Sequence, residues 1–266
     1  MSYFVWNASP VLFSIGGLSI RWYGLLFALG FIIGYEIVSW MYKQEHKPQK
    51  DIENLTIVMI LATIIGARLG HCFFYEPAYY LSHPFEIIAV WKGGLASHGA
   101  AIGILLGLWL YTLAKKNVNY LWLLDRIVVP VALAGCFIRL GNFFNSEILG
   151  NPANVPWAII FVRVDDIPRH PVQLYESISY LIIFIILFFT YKKKKAQTPR
   201  GLLFGMFLVL VFSVRFILEF FKAQQTYLEE SLTLNMGQIL SIPFIIVGIY
   251  FWISAKNRQA HPSHAK

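Results

Sequence analysis

Seven long apolar runs separated by short polar stretches set the pattern of this chain. They cover residues 22–40, 52–75, 99–114, 121–142, 172–191, 201–221 and 236–255. Most are long enough, as helices, to cross a hydrocarbon layer about 30 Å thick; the third is short. The pattern therefore predicts an all-α membrane protein with seven transmembrane helices, residues 1–266 forming a single polytopic domain. Three stretches fall outside it. Residues 1–20, broken by Asn7, Pro10, Gly16 and Gly17, predict an irregular or interfacial external arm. Residues 77–97, with Tyr79, Tyr80, Phe85, Ile87, Ile88 and Trp91, predict a segment lying along the external interface. Residues 147–171 predict a small external cap, in which Pro156–Val162 has strand character.

Basic residues orient the helices. Lys43, Lys47 and Lys50 follow the first run, Lys115 and Lys116 the third, Lys192 to Lys195 and Arg200 the fifth, and Lys256, Arg258 and Lys266 the seventh. Cytoplasmic loops are enriched in Lys and Arg, which places the N-terminus outside and the C-terminus in the cytoplasm. Only 14% of residues are charged, against about 25% in a soluble domain, which supports the membrane reading. The net charge of +8 is accounted for by these loops and gives no reason to expect a nucleic-acid partner. Cys72 and Cys136 lie inside apolar runs, in neither a disulfide framework nor a metal motif. They read as packing residues. The first basic residue is Arg21, so no cleavable leader is expected.

With that topology, polar residues converge on the outer-leaflet side. Tyr23 opens the first span, Arg68 and His71 close the second, and His98 begins the third. Arg139, Asn142 and Glu147 close the fourth; His170, Gln173, Tyr175 and Glu176 open the fifth. Arg215 and Glu219 lie in the outer half of the sixth, and Asn235 and Gln238 open the seventh. The inner halves are nearly bare apart from Glu36 and the pair Asp125-Arg126, which suit an inner interface. The densest stretch is Arg139–Gly150 (RLGNFFNSEILG), where helical spacing puts Arg139, Asn142 and Ser146 on one face. A charge in the bilayer centre costs about 2.5 kcal/mol or more, so Arg139 requires a counter-ion on another helix or an anionic ligand.

The guanidinium forks of Arg68, Arg139 and Arg215 match phosphate, and Glu147, Glu176 and Glu219 can balance them. Arg215 and Glu219, four residues apart, can also pair with each other. His98, between Gly93-Gly94 and Gly99, is either a general base or a hydrogen-bonded interface residue. The ridges Gly99/Gly103/Gly107 and Gly30/Gly34 read as helix-packing surfaces. A one-sided polar pocket fits an enzyme or receptor acting on lipid or on an exported chain. A lipid transporter needs a polar path to the other leaflet, and a lipid-binding subunit of an export complex would show no turnover. The motifs of metalloproteases, serine hydrolases and phosphate loops do not occur.

The chain resembles the bacterial prolipoprotein diacylglyceryl transferase family along most of its length. The resemblance rests on Ile20–Gly24 (IRWYG), Gly66–Gly70 (GARLG), Gly93–Gly99 (GGLASHG), Arg139–Gly150, Arg169–Glu176 (RHPVQLYE), Arg215–Phe221 (RFILEFF) and Met236–Ser241 (MGQILS). Ser146 stands where the family often has Gly, and Ala100 interrupts the glycine-rich stretch after His98. The resemblance implies transfer of the diacylglyceryl group of phosphatidylglycerol to the lipobox cysteine of exported prolipoproteins. A thioether forms and glycerol 1-phosphate leaves, in the bacterial cytoplasmic membrane, with no metal or nucleotide cofactor. The family's important residues carry over to Tyr23, His98, Arg139, Asn142, Glu147, Gly150, Arg215 and Glu219. Together with the residue reading, this assigns catalysis to His98, Tyr23, Arg139 and Arg215. Substrate binding falls to Arg68, Arg139, Asn142, Glu147, Gly150, Arg215 and Glu219.

Overall fold

The computed structural model describes residues 3–115, 117–223 and 234–258, without the side chain of Leu18. Lys116 and Lys266, used above to orient the loops, lie outside the described residues. Among the described residues, seven helices are long and apolar enough to cross a membrane. They are α1 (Trp22–Gln44), α2 (Lys50–Phe74), α4 (Ser97–Ala114), α5 (Tyr120–Asn145), α6 (Val172–Lys194), α7 (Leu202–Leu218) and α8 (Met236–Ser254). A short helix, α3 (Pro77–Ser82), follows α2. The expected spans are all present, with ends displaced by a few residues. Ile239, Leu240, Ile246, Tyr250 and Ile253 of α8 are exposed, an apolar surface suited to lipid.

The residues divide into two compact units, one of Met1–Val38 with Asp125–Pro262, the other built on Ser39–Leu124. In the first unit, small residues set the helix approach. A Cβ on Gly30 would lie 3.2 Å from Ala134 Cβ, and one on Gly34 3.3 Å from Pro130 Cβ, as the ridge reading anticipated. Asp125 is fully buried. Its Oδ2 accepts the Gly201 N–H at 2.6 Å and its Oδ1 the Phe204 N–H at 2.9 Å. It thus satisfies donors that the first turn of α7 leaves without helical partners. Asn235 and Gln238 form a reciprocal capping box at the start of α8.

The N-terminal arm is not irregular. It contains β1 (Phe4–Trp6), β2 (Val11–Ile15) and β3 (Leu18–Arg21). The last two form a hairpin, whose turn places Gly16 and Gly17 at φ of 54° and 86°. β1 pairs in parallel with β4 (Ile159–Phe161), which pairs antiparallel with β5 (Pro168–Arg169). β4 falls inside the stretch expected to be a strand. The pairing of β1 is not legible locally because the strand is three residues long and its partner is remote in the chain. Phe143, Ile159 and Phe161 form the core of this cap, packed against Trp6, Leu149 and Leu174.

The second unit is organised by backbone contact between α2 and α4. A Cβ on Gly99 would lie 2.4 Å from Gly66 O, one on Gly103 2.4 Å from Ala62 O, and one on Gly70 2.6 Å from Gly99 Cα. No side chain fits at these crossings, so the glycine ridge serves packing. Residues after α3 continue as two 3₁₀ turns, Pro84–Ile88 and Val90–Lys92, with Phe85 and Trp91 projecting outward at 89% and 77% exposure. These apolar side chains agree with an interfacial segment. Lys92 pairs with Glu86 at 2.7 Å and holds that carboxyl below the usual carboxylate range.

Candidate active site

The polar stretch after Ile138 begins inside α5 and leaves it abruptly. The helix ends at Asn145, and Ser146 and Ile148 take left-handed φ values of 56° and 54°. The Glu147 N–H still donates to Asn142 O at 3.0 Å, so the chain folds back over the end of the helix. This turn keeps Arg139, Asn142 and Glu147 together. Arg139 Nη1 donates to Asn142 Oδ1 at 3.2 Å, and Asn142 Nδ2 donates to Glu147 Oε2 at 3.1 Å. Asn145 Nδ2 holds the other carboxylate oxygen at 3.1 Å. Tyr23 packs on Gly141, where a Cβ would come within 2.7 Å of its ring, and lies in electrostatic range of Glu147 and Arg139.

Behind this edge runs a buried chain of alternating charges. Arg139 Nε lies 2.9 Å from Glu176 Oε2. The opposite oxygen of Glu176 lies 2.9 Å from Lys222 Nζ, and Lys222 reaches Glu219 Oε2 at 3.3 Å. Glu176 is fully buried, Lys222 5% exposed and Glu219 8% exposed. The counter-ion reading of Arg139 is therefore realised, with Glu176 as partner. The Arg215–Glu219 pair is not: Lys222 takes the Glu219 carboxylate. Arg215, half-buried and in electrostatic range of Tyr180, makes no ion pair among the described residues. Glu219 also fills the space a side chain at Gly237 would need, since a Cβ there would lie 2.6 Å from its Cδ.

Lys222 did not stand out in the sequence, where it looks like a lysine ending an apolar run. The available signal was its position three residues after Glu219. Its backbone is fixed by pairing with Gly150. Asn151 N–H donates to Phe221 O at 2.8 Å, and Ala223 N–H to Leu149 O at 3.1 Å. Gly150 itself admits no side chain, because a Cβ would lie 2.3 Å from His170 O. Arg169 donates to Gly150 O at 3.3 Å and pairs with Asp165, holding that carboxyl below the usual carboxylate range. This cap pair contributes at neutral pH and weakens as pH falls through the lowered Asp165 value.

In the second unit, Arg68 is 3% exposed and directs its donors at backbone. Nε donates to Ile87 O at 3.0 Å, Nη2 to Glu86 O at 2.6 Å, and Nη1 to Gly93 O and Gly94 O at 2.6 and 3.2 Å. Four of its five N–H groups are thereby engaged. Gly93 and Gly94, at φ of 85° and 66°, let the chain wrap closely around it. A Cβ on Gly94 would meet the His71 ring at 2.6 Å. His98 is exposed on the first turn of α4, its ring 5.6 Å from those of Phe74 and Tyr75.

Comparison with known proteins places the chain. A family model described as prolipoprotein diacylglyceryl transferase matches residues 10–254. The chain belongs to the prolipoprotein diacylglyceryl transferase family. Among its relatives is a protein of Chloroherpeton thalassium, 53% identical over 248 residues, covering 93% of this chain and 92% of the relative. Another, from Tolumonas auensis, is 47% identical over 255 residues, with 96% and 98% covered. A third, from Bacteroides fragilis, is 46% identical over 258 residues, with 92% and 93% covered. All three bear the name phosphatidylglycerol–prolipoprotein diacylglyceryl transferase.

In this family member both cysteines are buried and free, Cys136 with its Sγ 3.1 Å from Ser177 Oγ. Neither has the electropositive, accessible surroundings that favour a reactive thiolate. The double substitution Cys72→Ala and Cys136→Ala is expected to keep substantial transferase turnover per folded molecule. A folded but inactive double variant would instead require a covalent enzyme intermediate.

Proposed function

We infer that this chain transfers the diacylglyceryl group of phosphatidylglycerol to prolipoproteins, the first step of lipoprotein maturation, as a multi-pass protein of the bacterial inner membrane. In our reading the acceptor is the lipobox cysteine, and the site with its cap (residues 147–171), the arm (1–20) and the segment 77–97 face the outer leaflet. The observation that carries the site assignment is Arg215: a half-buried guanidinium with no ion pair among the described residues, in the same unit as the neutralised Arg139 network. An anionic phosphodiester supplies the missing counter-charge.

The sulfur–carbon bond forms as the carbon–oxygen bond to phosphate breaks, and glycerol 1-phosphate leaves. Arg215 and Arg139 stabilise the charge gathering on the leaving phosphate in a water-poor site. Asn142 and Glu147 hold the Arg139 fork, and Tyr23 can donate a hydrogen bond to the headgroup. Gly150 and Glu219 keep the backbone and Lys222 in place. Arg68 acts here by fixing the loop before α4 rather than by gripping lipid. The thiol must lose its proton, since the thiolate is the nucleophile. His98 is our candidate acceptor, its exposed ring being available to an incoming peptide; thiolate formation assisted by Arg is the competing route.

Incubating the purified protein with phosphatidylglycerol and a lipobox peptide tests this directly. A diacylglyceryl mass increment on the peptide, absent when its cysteine is replaced, is the expected result. No increment with folded protein would overturn the assignment. For the base, His98→Gln should remove the acidic limb of the pH–rate profile. Full activity with the same limb would return His98 to an interface role.

A further inference from the structure

Among the described residues, the sheet of the cap has one open edge. Its strand order is β1-β4-β5. The far side of β5 is covered. Pro152 bridges to Arg169, the Ala153 N–H donates to Pro168 O at 2.9 Å, and the His170 N–H donates to Asn151 O at 3.1 Å. The far side of β1 has no strand or backbone partner among the described residues. An edge strand presents unpaired N–H and C=O groups, and proteins blunt such edges with charge, proline, a bulge or a cover. β1 reads Phe4-Val5-Trp6, with no charge and no proline. Its pairing to β4 runs in unbroken register, and Phe4 and Val5 are 62% and 54% exposed. Its one safeguard is its length of three residues.

This edge is continuous with the candidate site. The Trp6 ring lies 4.3 Å from that of Phe143 and 5.5 Å from that of Phe144. Phe144 in turn stacks on Trp22 at 4.6 Å, the planes 16° apart. Phe143 directly follows Asn142, and Trp22 directly precedes Tyr23. Aromatic contacts thus tie β1 to the end of α5 and the start of α1, the two places that carry Asn142 and Tyr23.

Resting on the transferase reading, we propose that the open edge of β1 pairs, main chain to main chain, with an extended segment of the acceptor polypeptide. The cap lies beyond the ends of α1 and α5, so the segment it meets is the exported part that follows the lipobox cysteine. Strand addition draws its affinity from backbone hydrogen bonds, which are the same whatever the side chains. One edge therefore serves many acceptor sequences. A strand of three residues makes few such bonds, so the modified chain can leave.

The test uses purified wild-type protein, phosphatidylglycerol and three lipobox peptides of one sequence. The first has an ordinary main chain. The other two are N-methylated at alternate residues after the cysteine, in opposite registers. Alternate residues of an extended segment turn their N–H groups to opposite sides, so only one register removes the donors that face β1. That register is expected to raise KM about tenfold, with kcat within about twofold. The other register should leave KM within about twofold of the unmodified peptide. A benzophenone placed after the cysteine of the unmodified sequence should cross-link to the fragment ending at Arg21. Equal KM values for all three peptides would leave the edge to lipid or to a second copy of the chain and overturn the proposal. The same rise in both registers, or cross-links only to other fragments, would also overturn it; each of these results leaves the transferase reading standing. No transfer to the unmodified peptide would overturn both.

Discussion

Arg139→Lys is expected to accumulate normally and to transfer lipid at least about tenfold more slowly than wild type. Arg139 serves two partners at once, Glu176 through Nε at 2.9 Å and Asn142 through Nη1 at 3.2 Å. A lysine ammonium balances Glu176 as a point charge but cannot hold both groups in the plane of a guanidinium. Contacts to charge developing in a transition state are commonly worth about 3 kcal/mol, roughly a hundredfold in rate. Turnover per folded molecule and thermal stability should be measured on the same detergent sample. Near-normal turnover would remove the phosphate clamp from the mechanism. A loss of turnover only in step with lost folded protein would reduce Arg139 to the structural partner of Glu176.

Lys222→Met is expected to give the largest loss of stability. The lysine sits between Glu176 and Glu219 with 5% of its surface exposed. Removing one member of a buried ionic set leaves an uncompensated charge and costs about 3–5 kcal/mol. Glu219 would be left without its ion-pair partner, while Glu176 would keep Arg139. Lys222→Arg preserves the charge and should recover most of the lost stability. The measurement is thermal unfolding in detergent of both variants beside wild type. A Met variant as stable as wild type would show that the carboxylates take up protons or move apart at little cost.

The spans were legible because bilayer thickness dictates long apolar runs. The glycine ridges were legible because close helix approach needs residues without side chains. Other features depend on who the neighbours are. Arg68 and Arg139 looked alike as cations near the ends of apolar runs. The carbonyls of Glu86, Ile87, Gly93 and Gly94 distinguish the first, and Glu176 with Asn142 the second. The spacing of Arg215 and Glu219 allowed a pair that Lys222 pre-empts. Its i,i+3 spacing from Glu219 is the one local sign of Lys222, whose backbone is fixed by a remote pairing with Gly150.

The parallel pairing of β1 with β4 bears on how the chain is made. The register joins Phe4 to Ile159, and beside it Tyr3 O–H donates to Asn154 Oδ1 across 151 residues of chain. Once made, β1 thus waits until α5 and the loop beyond it have left the ribosome. At about 5–20 residues per second, that wait lasts roughly ten to thirty seconds. Throughout it β1 stands as an unpaired apolar strand, a template for wrong pairing. Biogenesis of this protein therefore contains an obligatory interval in which the cap is open, and its closure follows the synthesis of α1, α2, α4 and α5.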